Sequence, residues 1–381
     1  MWHRGFWFLA IANLLLSVSV YMLIPVMPVR LAADAYTPMS TGIIMGVFGV
    51  GIFLLGGFSS YLIQRHHRSR VCTVSILATT GVLGALYEID ALPDTPLDFS
   101  VLIVLRLLLG AFYGLAQMVL VSTLINDTCE SFQRTEADHA ATWFSRFALS
   151  LGPVAGLLLS RYLNFGSVTL VAVGCALAAL VLIKLVNFPF RAPEERMSRL
   201  SLDRFFMPQS RWLFVNLVLM TVMVGLLLSL IREPRFYGLL MIGFLLAIVA
   251  EKYVFANAEL RSETVTGLIL TGAASLLMLS RDALPVVAYA SPVLMGFGFG
   301  IIGSRFQLFF IKLARHCQRA TALSTFFLAW ELGIAVGLFV GYSLFLCDRQ
   351  LILVTILSLS VVSLLLYHLV THPWYMRHKN R

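Results

Sequence analysis

From Trp7 to the last residues, runs of roughly 20 predominantly apolar residues follow one another almost without pause. A helix needs about that length to cross a bilayer core of roughly 30 Å. Backbone polar groups in lipid must be satisfied within the segment, and the runs lack the alternation of a barrel strand, so each is read as a helix. The expected fold class is therefore an all-α integral membrane protein. Composition agrees: 59% of residues are hydrophobic and 12% charged, with a mean hydropathy of +0.87. No soluble domain needs that much apolar surface.

Spans are expected near 6–30, 42–63, 71–90, 99–125, 138–162 and 166–187, then 211–231, 235–254, 263–281, 284–311, 320–345 and 350–371. The first run is longer than a signal-peptide core and lacks a small-residue cleavage site, so it is expected to stay as the first span. The longest polar interval, with Pro189, Pro193 and Pro208, divides the twelve spans into six and six. The chain is expected to form an N-terminal bundle over 1–188, a linker over 189–210, a C-terminal bundle over 211–372 and a basic tail over 373–381. A short amphipathic helix over Glu194 to Phe206 is expected to lie on the membrane surface.

The net charge of +9 maps onto one side of a membrane rather than onto a nucleic-acid face. Arg4, Arg65, Arg68, Arg70, Arg134, the linker cations, Lys252, Arg261, Lys312, Arg315, Arg319 and the tail share that side. Only Arg30, Arg161, Arg232, Arg235, Arg281 and Arg349 fall on the other. The positive-inside rule then predicts cytoplasmic termini in a bacterial inner membrane. The basic tail also suits lipid headgroups, so membrane lipid is an expected partner. The five cysteines show neither a disulfide framework nor metal-ligand spacing, and no metal or cofactor is expected. With no HExxH, GxSxG or nucleotide-binding loop, enzyme chemistry is not expected.

The halves repeat one another. Arg134, Ala148, Gly152 and Gly156 in span 5 align with Arg319, Gly333, Gly337 and Gly341 in span 11 at a constant offset of 185. Arg68 and Ser69 after span 2 correspond to Arg261 and Ser262 after span 8, with Gln64 on Asn257, and spans 1 and 7 each carry an early asparagine, Asn13 and Asn216. Glycines four apart also arise merely from close helix packing. The flanking arginines do not, and parallel six-span repeats suit a protein with two rocking halves.

Three motifs carry a resemblance. After span 2 the chain reads Ser60-Tyr-Leu-Ile-Gln64-Arg65-His-His67-Arg68-Ser-Arg70. This is similar to the loop signature of the major facilitator superfamily, a glycine followed by Asp-Arg-x-Gly-Arg, with Ser60, Gln64 and His67 replacing the first glycine, the aspartate and the second glycine. Span 4 carries Arg106, Gly110 and Gly114, similar to the family's RxxxG pattern. Span 5 carries Gly152, Pro153 and Gly156, similar to the GPxxG associated with exporters, with Ala148 and Leu157 departing at its ends. The resemblance implies a twelve-helix bundle alternating between inward and outward openings. It further implies that Arg65, Arg68 or Arg70 pairs with Asp127 in an inner gate weakened by Gln64, and that Arg106 handles substrate or protons.

Ionisable residues within spans are costly and mark candidate sites. Arg106, Arg146, Arg305 and Glu331 qualify, with Glu251 and Lys252 nearer the edge. Arg146 and Glu331 hold equivalent places in the repeat with opposite charge. Either both face a central cavity, or they bind helices, Arg146 to Glu251 and Glu331 to Arg65. Asn13, Tyr21, Tyr113, Gln117, Asn216, Gln307 and Trp330 are candidate cavity walls. Guanidinium groups grip carboxylate or phosphate by paired hydrogen bonds, which favours an anionic or zwitterionic substrate; alternatively the arginines only neutralise Glu331 and helix ends. The expectation is a monomeric secondary transporter of a small molecule, working in efflux, with protons as a candidate coupling ion through Glu331. The alternatives are a drug and proton antiporter for cationic or neutral compounds, and a non-transporting sensor or lipid-handling protein on the same scaffold.

Overall fold

The computed structural model describes residues 3–91, 98–130, 132–188, 198–255, 259–280 and 285–379. Among them, twelve helices are long and apolar enough to cross a bilayer. They are α1 (Arg4–Ala33), α2 (Pro38–Arg65), α3 (Arg68–Ala91), α4 (Phe99–Asp127), α5 (Arg134–Tyr162), α6 (Phe165–Lys184), α7 (Pro208–Leu230), α8 (Pro234–Tyr253), α9 (Leu260–Leu279), α10 (Pro285–Leu313), α11 (Arg319–Ser343) and α12 (Arg349–His378). No strand occurs among the described residues. Each expected span overlies one helix. Several helices run further because polar first and last turns are helical without being apolar: α12 continues through the basic residues to His378.

Local chemistry sets the ends and breaks. The Asp98 carboxylate caps α4, accepting from Ser100 N at 2.7 Å, and Asn164 and Asp348 cap α6 and α12 in the same way. α1 is interrupted at Met22. Pro25 explains the position: it has no N–H to give to the carbonyl four residues earlier, that of Tyr21, and its ring crowds that carbonyl. Two helices widen by one π turn, α4 at Leu120–Leu124 and α12 at Tyr367–Thr371.

Packing repeats with a six-helix period. α1 lies on α5 and α6, α3 on α4 and α6, and α2 on α4; likewise α7 lies on α11 and α12, α9 on α10 and α12, and α8 on α10. The halves meet along two equivalent seams, α2 on α11 and α5 on α8. With no hydrophobic drive between helices in lipid, close van der Waals approach must hold them together. At Gly152 and Gly156 an added Cβ would strike Tyr21 and Met22, so the broken turn of α1 sits directly on α5. At the equivalent Gly337, it would lie 2.7 Å from Gly225 Cα and Leu226 N of α7. The aligned glycines therefore do the same job in each half.

One expected element differs. No helix forms over 198–206, and residues 189–197 lie outside the described part, as do the linker cations Arg191 and Arg196, and Asn257, Arg281 and Arg381 elsewhere. Instead the chain turns back at Arg204, in a left-handed conformation with φ 56°, and wedges between the ends of α2 and α11. Ser201 N donates to Gly57 O at 3.0 Å, Arg204 N to Thr321 Oγ1 at 2.9 Å and Met207 N to Thr325 Oγ1 at 2.9 Å. Backbone donors that a surface helix would have satisfied internally are satisfied here by the two helices they join.

Candidate functional site

The face that carries the chain ends and the linker is termed the terminal face. At mid-depth, α1, α4, α5 and α11 enclose a cavity of ≈ 40 Å³, whose walls include Tyr21, Tyr113, Gln117, Arg146, Trp330 and Glu331. That is room for a water or two. The break in α1 delivers Tyr21, whose hydroxyl donates to Glu331 Oε1 on α11. Gln117 Nε2 donates to Ser17 Oγ at 2.7 Å, and Tyr113 OH to the same oxygen at 3.4 Å, so α4 and α1 form one polar wall.

Arg146 is 1% exposed and enters from α5. Its guanidinium lies 4.7 Å from the centre of the Trp143 ring and 5.9 Å from that of Trp330. Its Nη2 donates to Gln307 Oε1 at 3.4 Å, while Nε and Nη1 have no hydrogen-bond partner. Space for it is made by Gly303 on α10, where an added Cβ would lie 2.8 Å from Arg146 Nε. A cation at this depth is supported by aromatic faces and one amide, without an ion pair among the described residues.

Arg106, also 1% exposed, is displaced from this cavity. Its Nε donates to Ile44 O of α2 at 3.3 Å and its guanidinium lies 5.1 Å from the centre of the Phe48 ring. It shares a smaller void with Tyr21 and Glu331.

The two expected helix-binding pairs do not form. Glu251 is engaged by His139 Nε2 at 3.4 Å and by Arg305 Nη2 at 3.7 Å, not by Arg146. Glu331 meets Tyr21, not Arg65, whose Nη1 donates to Tyr61 OH at the exposed end of α2. The reason is depth: Glu331 lies twelve residues into α11, about 18 Å along the axis at 1.5 Å per residue. Among the loop arginines, Arg68 reaches Asp127, with Nη1 donating to its two oxygens at 2.7 and 2.6 Å. Arg65 and Arg70 are exposed, and Gln64 donates to Ser60 Oγ at 3.2 Å.

Other candidates hold helices together. Asn13 Nδ2 donates to Ala141 O at 2.9 Å and Ser145 Oγ at 2.7 Å, joining α1 to α5. Its repeat partner Asn216 donates to Thr371 Oγ1 at 3.0 Å, joining α7 to the π turn of α12. Gln307 Nε2 donates to Asp138 O at 2.9 Å and so ties the halves just below the cavity.

Charged groups absent from the sequence-based candidates gather beside these. Arg319 Nε donates to the fully buried Asp138 at 2.9 Å, linking α11 to α5. His139 Nε2 lies 2.6 Å from Ser304 Oγ, and Glu263 lies 2.5 Å from Nε of Arg305, itself one of the expected residues. Asp203 of the linker accepts from Ser60 at 3.3 Å and Thr321 at 3.2 Å, putting a carboxylate at the N-terminal turn of α11 where the loop signature has lost its own at Gln64. Asp138 and Glu263 sit within the first turns of apolar runs, where an acid deserves the same suspicion as one at mid-span. Asp203 had no local signal, because its role depends on where the linker goes.

The sequence model of the Major Facilitator Superfamily matches residues 9–338. No curated protein matches the chain. Among solved structures, a bacterial homologue of the human lysosomal transporter Spinster aligns with TM-score 0.70 at 12% identity, over 99% of this chain and 98% of that one. The human organic anion transporter MFSD10 aligns with TM-score 0.72 at 17% identity, over 95% and 98%. A bacterial homologue of the iron transporter ferroportin aligns with TM-score 0.67 at 17% identity, over 98% and 100%.

Proposed function

The chain belongs to the Major Facilitator Superfamily, a multi-pass membrane transporter and not an enzyme, and from that premise we propose that it exports a small organic anion or zwitterion by alternating access. The fold's neighbours carry such different cargoes in their names that fold alone does not select a substrate. The observation that carries the proposal is Arg146, buried in the central cavity with two guanidinium nitrogens unpartnered. An anion docking there supplies the charge-assisted hydrogen bonds that the protein withholds.

The approach has the same sign. From the terminal face, a vestibule of ≈ 240 Å³ bordered by Arg68, Arg134, Arg204 and Arg319, with Asp127 as its acid, lies on the way to the cavity. A concave site of one charge concentrates counter-charged solutes. Asp138 with Arg319, Gln307 with Asp138, and Arg68 with Asp127 then act as the gate on this side. The vestibule faces the cytoplasm, in keeping with the excess of arginine and lysine there. Glu331 adds coupling: with Tyr21 as its partner and no arginine in ion-pair contact among the described residues, a proton is the neutraliser available to it, and its protonation would weaken its hold on Tyr21 as the halves separate.

A thermal-shift screen of the purified protein against anionic, zwitterionic and cationic compounds tests the substrate class. Anions or zwitterions are expected to stabilise it, and Arg146→Gln to abolish that stabilisation while leaving the unliganded protein folded. Stabilisation by cations alone would replace this proposal with the cationic drug antiporter. Flux of the stabilising compound in proteoliposomes, driven by a pH gradient in the wild type and lost in Glu331→Gln, tests coupling.

A further inference from the structure

Away from the central pathway, a second cavity of ≈ 590 Å³ opens at the terminal face on the flank of the C-terminal half, between the start of α9, the end of α10 and the last turns of α12. Its floor is aromatic and fixed. The π turn at Tyr367–Thr371 brings the end of α12 over α10, where Tyr375 is 3% exposed and its ring packs 4.8 Å from that of Phe309. Its rim is cationic: Arg261, Lys312 and Lys379 border it beside the imidazole of His372, with Glu259 as the acid among them. Arg261 is held in place by His368, Nη2 to Nδ1 at 2.8 Å, while Lys312 and Lys379 are exposed. The flank faces lipid, since Leu365 and Leu369 on the same helix are 53% and 67% exposed.

We propose that this cavity is a binding site for the phosphate headgroup of an anionic phospholipid. Cations converge at the end of membrane-spanning helices, above an aromatic floor that continues into an apolar, lipid-facing helix. A basic pocket between helices at the membrane surface fits a lipid phosphate, and the apolar floor has no use for a freely soluble ion. Occupancy joins the ends of α9, α10 and α12 and thereby the base of the C-terminal half. None of these residues lines the central cavity.

The test uses the full-length protein in detergent, with lipid retention read by native mass spectrometry. The wild type is expected to retain phosphatidylglycerol in preference to phosphatidylcholine of the same chains. Combining Arg261→Gln, Lys312→Gln and Lys379→Gln should weaken phosphatidylglycerol binding on the order of a hundredfold, about fivefold for each cation removed. The charge-retaining set Arg261→Lys, Lys312→Arg and Lys379→Arg should keep the preference, as should Arg65→Gln with Arg70→Gln on the other half. Should the triple glutamine variant not fold, amine labelling of Lys312 and Lys379 in the wild type decides, with phosphatidylglycerol expected to slow it and phosphatidylcholine not. No lipid preference, equal loss in the Arg65 and Arg70 variant, or no protection of the lysines overturns the site. Equal protection by inorganic phosphate would make it a soluble-anion site and overturn the lipid assignment.

Discussion

The two seams between the halves occupy equivalent places in the repeat yet are built from opposite materials. Where α2 crosses α11, Gly42, Gly46 and Gly49 meet Ser343, Phe339 and Ala335 directly, so helices touch through small side chains and backbone. Where α5 crosses α8 and α10, the seam holds His139, Glu251, Ser304 and Arg305, backed by Glu263 of α9. Fold symmetry thus fixes which helices meet without fixing how they adhere. An apolar seam depends on fit, and added volume at its glycine contacts overpacks it. A charged seam depends on partners, and a change of partner or protonation can open it.

The largest effect should come from the charged seam. Arg305→Met leaves Glu251 and Glu263 without their shared cation, and breaking a buried pair of this kind costs about 3–5 kcal/mol. Thermal unfolding in detergent should fall steeply; an unchanged midpoint would mean that the network adds nothing to adhesion. Next comes the apolar seam. An added Cβ at Gly49 would lie 2.5 Å from that of Ala335, so Gly49→Leu should overpack it at about 1–3 kcal/mol. It should also expose a cysteine placed at Ser343 to maleimide, whereas Arg305→Met should not.

Smaller effects are expected where the linker and loop close the terminal face. Asp203→Asn removes a charge from the first turn of α11 at about 0.3–1 kcal/mol, and should raise labelling of a cysteine placed at Thr325. Arg68→Gln should have the least effect, within about 1 kcal/mol, because Arg68 and Asp127 both belong to the N-terminal half, and their pair does not bridge α2 and α11 as Asp203 does. A larger loss for Arg68→Gln than for Asp203→Asn would reverse the ranking of linker over loop as the clasp on this seam.

Much of the candidate site was legible residue by residue. Arg146 and Glu331 stand out because a charge amid apolar sequence is rare and expensive, and the repeat places them at one depth. The structure does bring both to a single cavity with Tyr21, Tyr113, Gln117 and Trp330. Their partners were not legible. Glu251 lies near basic side chains of α5 and α10, and only the rotation of α8, α10 and α5 gives it to Arg305 and His139. Asn13 and Asn216 looked like cavity walls for the same reason that they make good clamps, since a buried amide must find hydrogen-bond partners wherever it sits. The linker misled most, because its alternation of polar and apolar residues suits a surface helix but also suits a strand of chain with one side bonded to α2 and the other to α11.

The sequence by itself determined that the protein lies in a membrane, how many times it crosses, and that its second half repeats its first. Those properties follow from transfer of each segment into lipid and from backbone bonds closed within each helix, both local quantities. Only the tertiary structure decided which charges meet, where the linker packs at the terminal face, and that one seam is apolar while its twin is charged. Inside the bundle, pairing depends on helix rotation and depth, to which residues distant in sequence contribute together, and no single span carries that information.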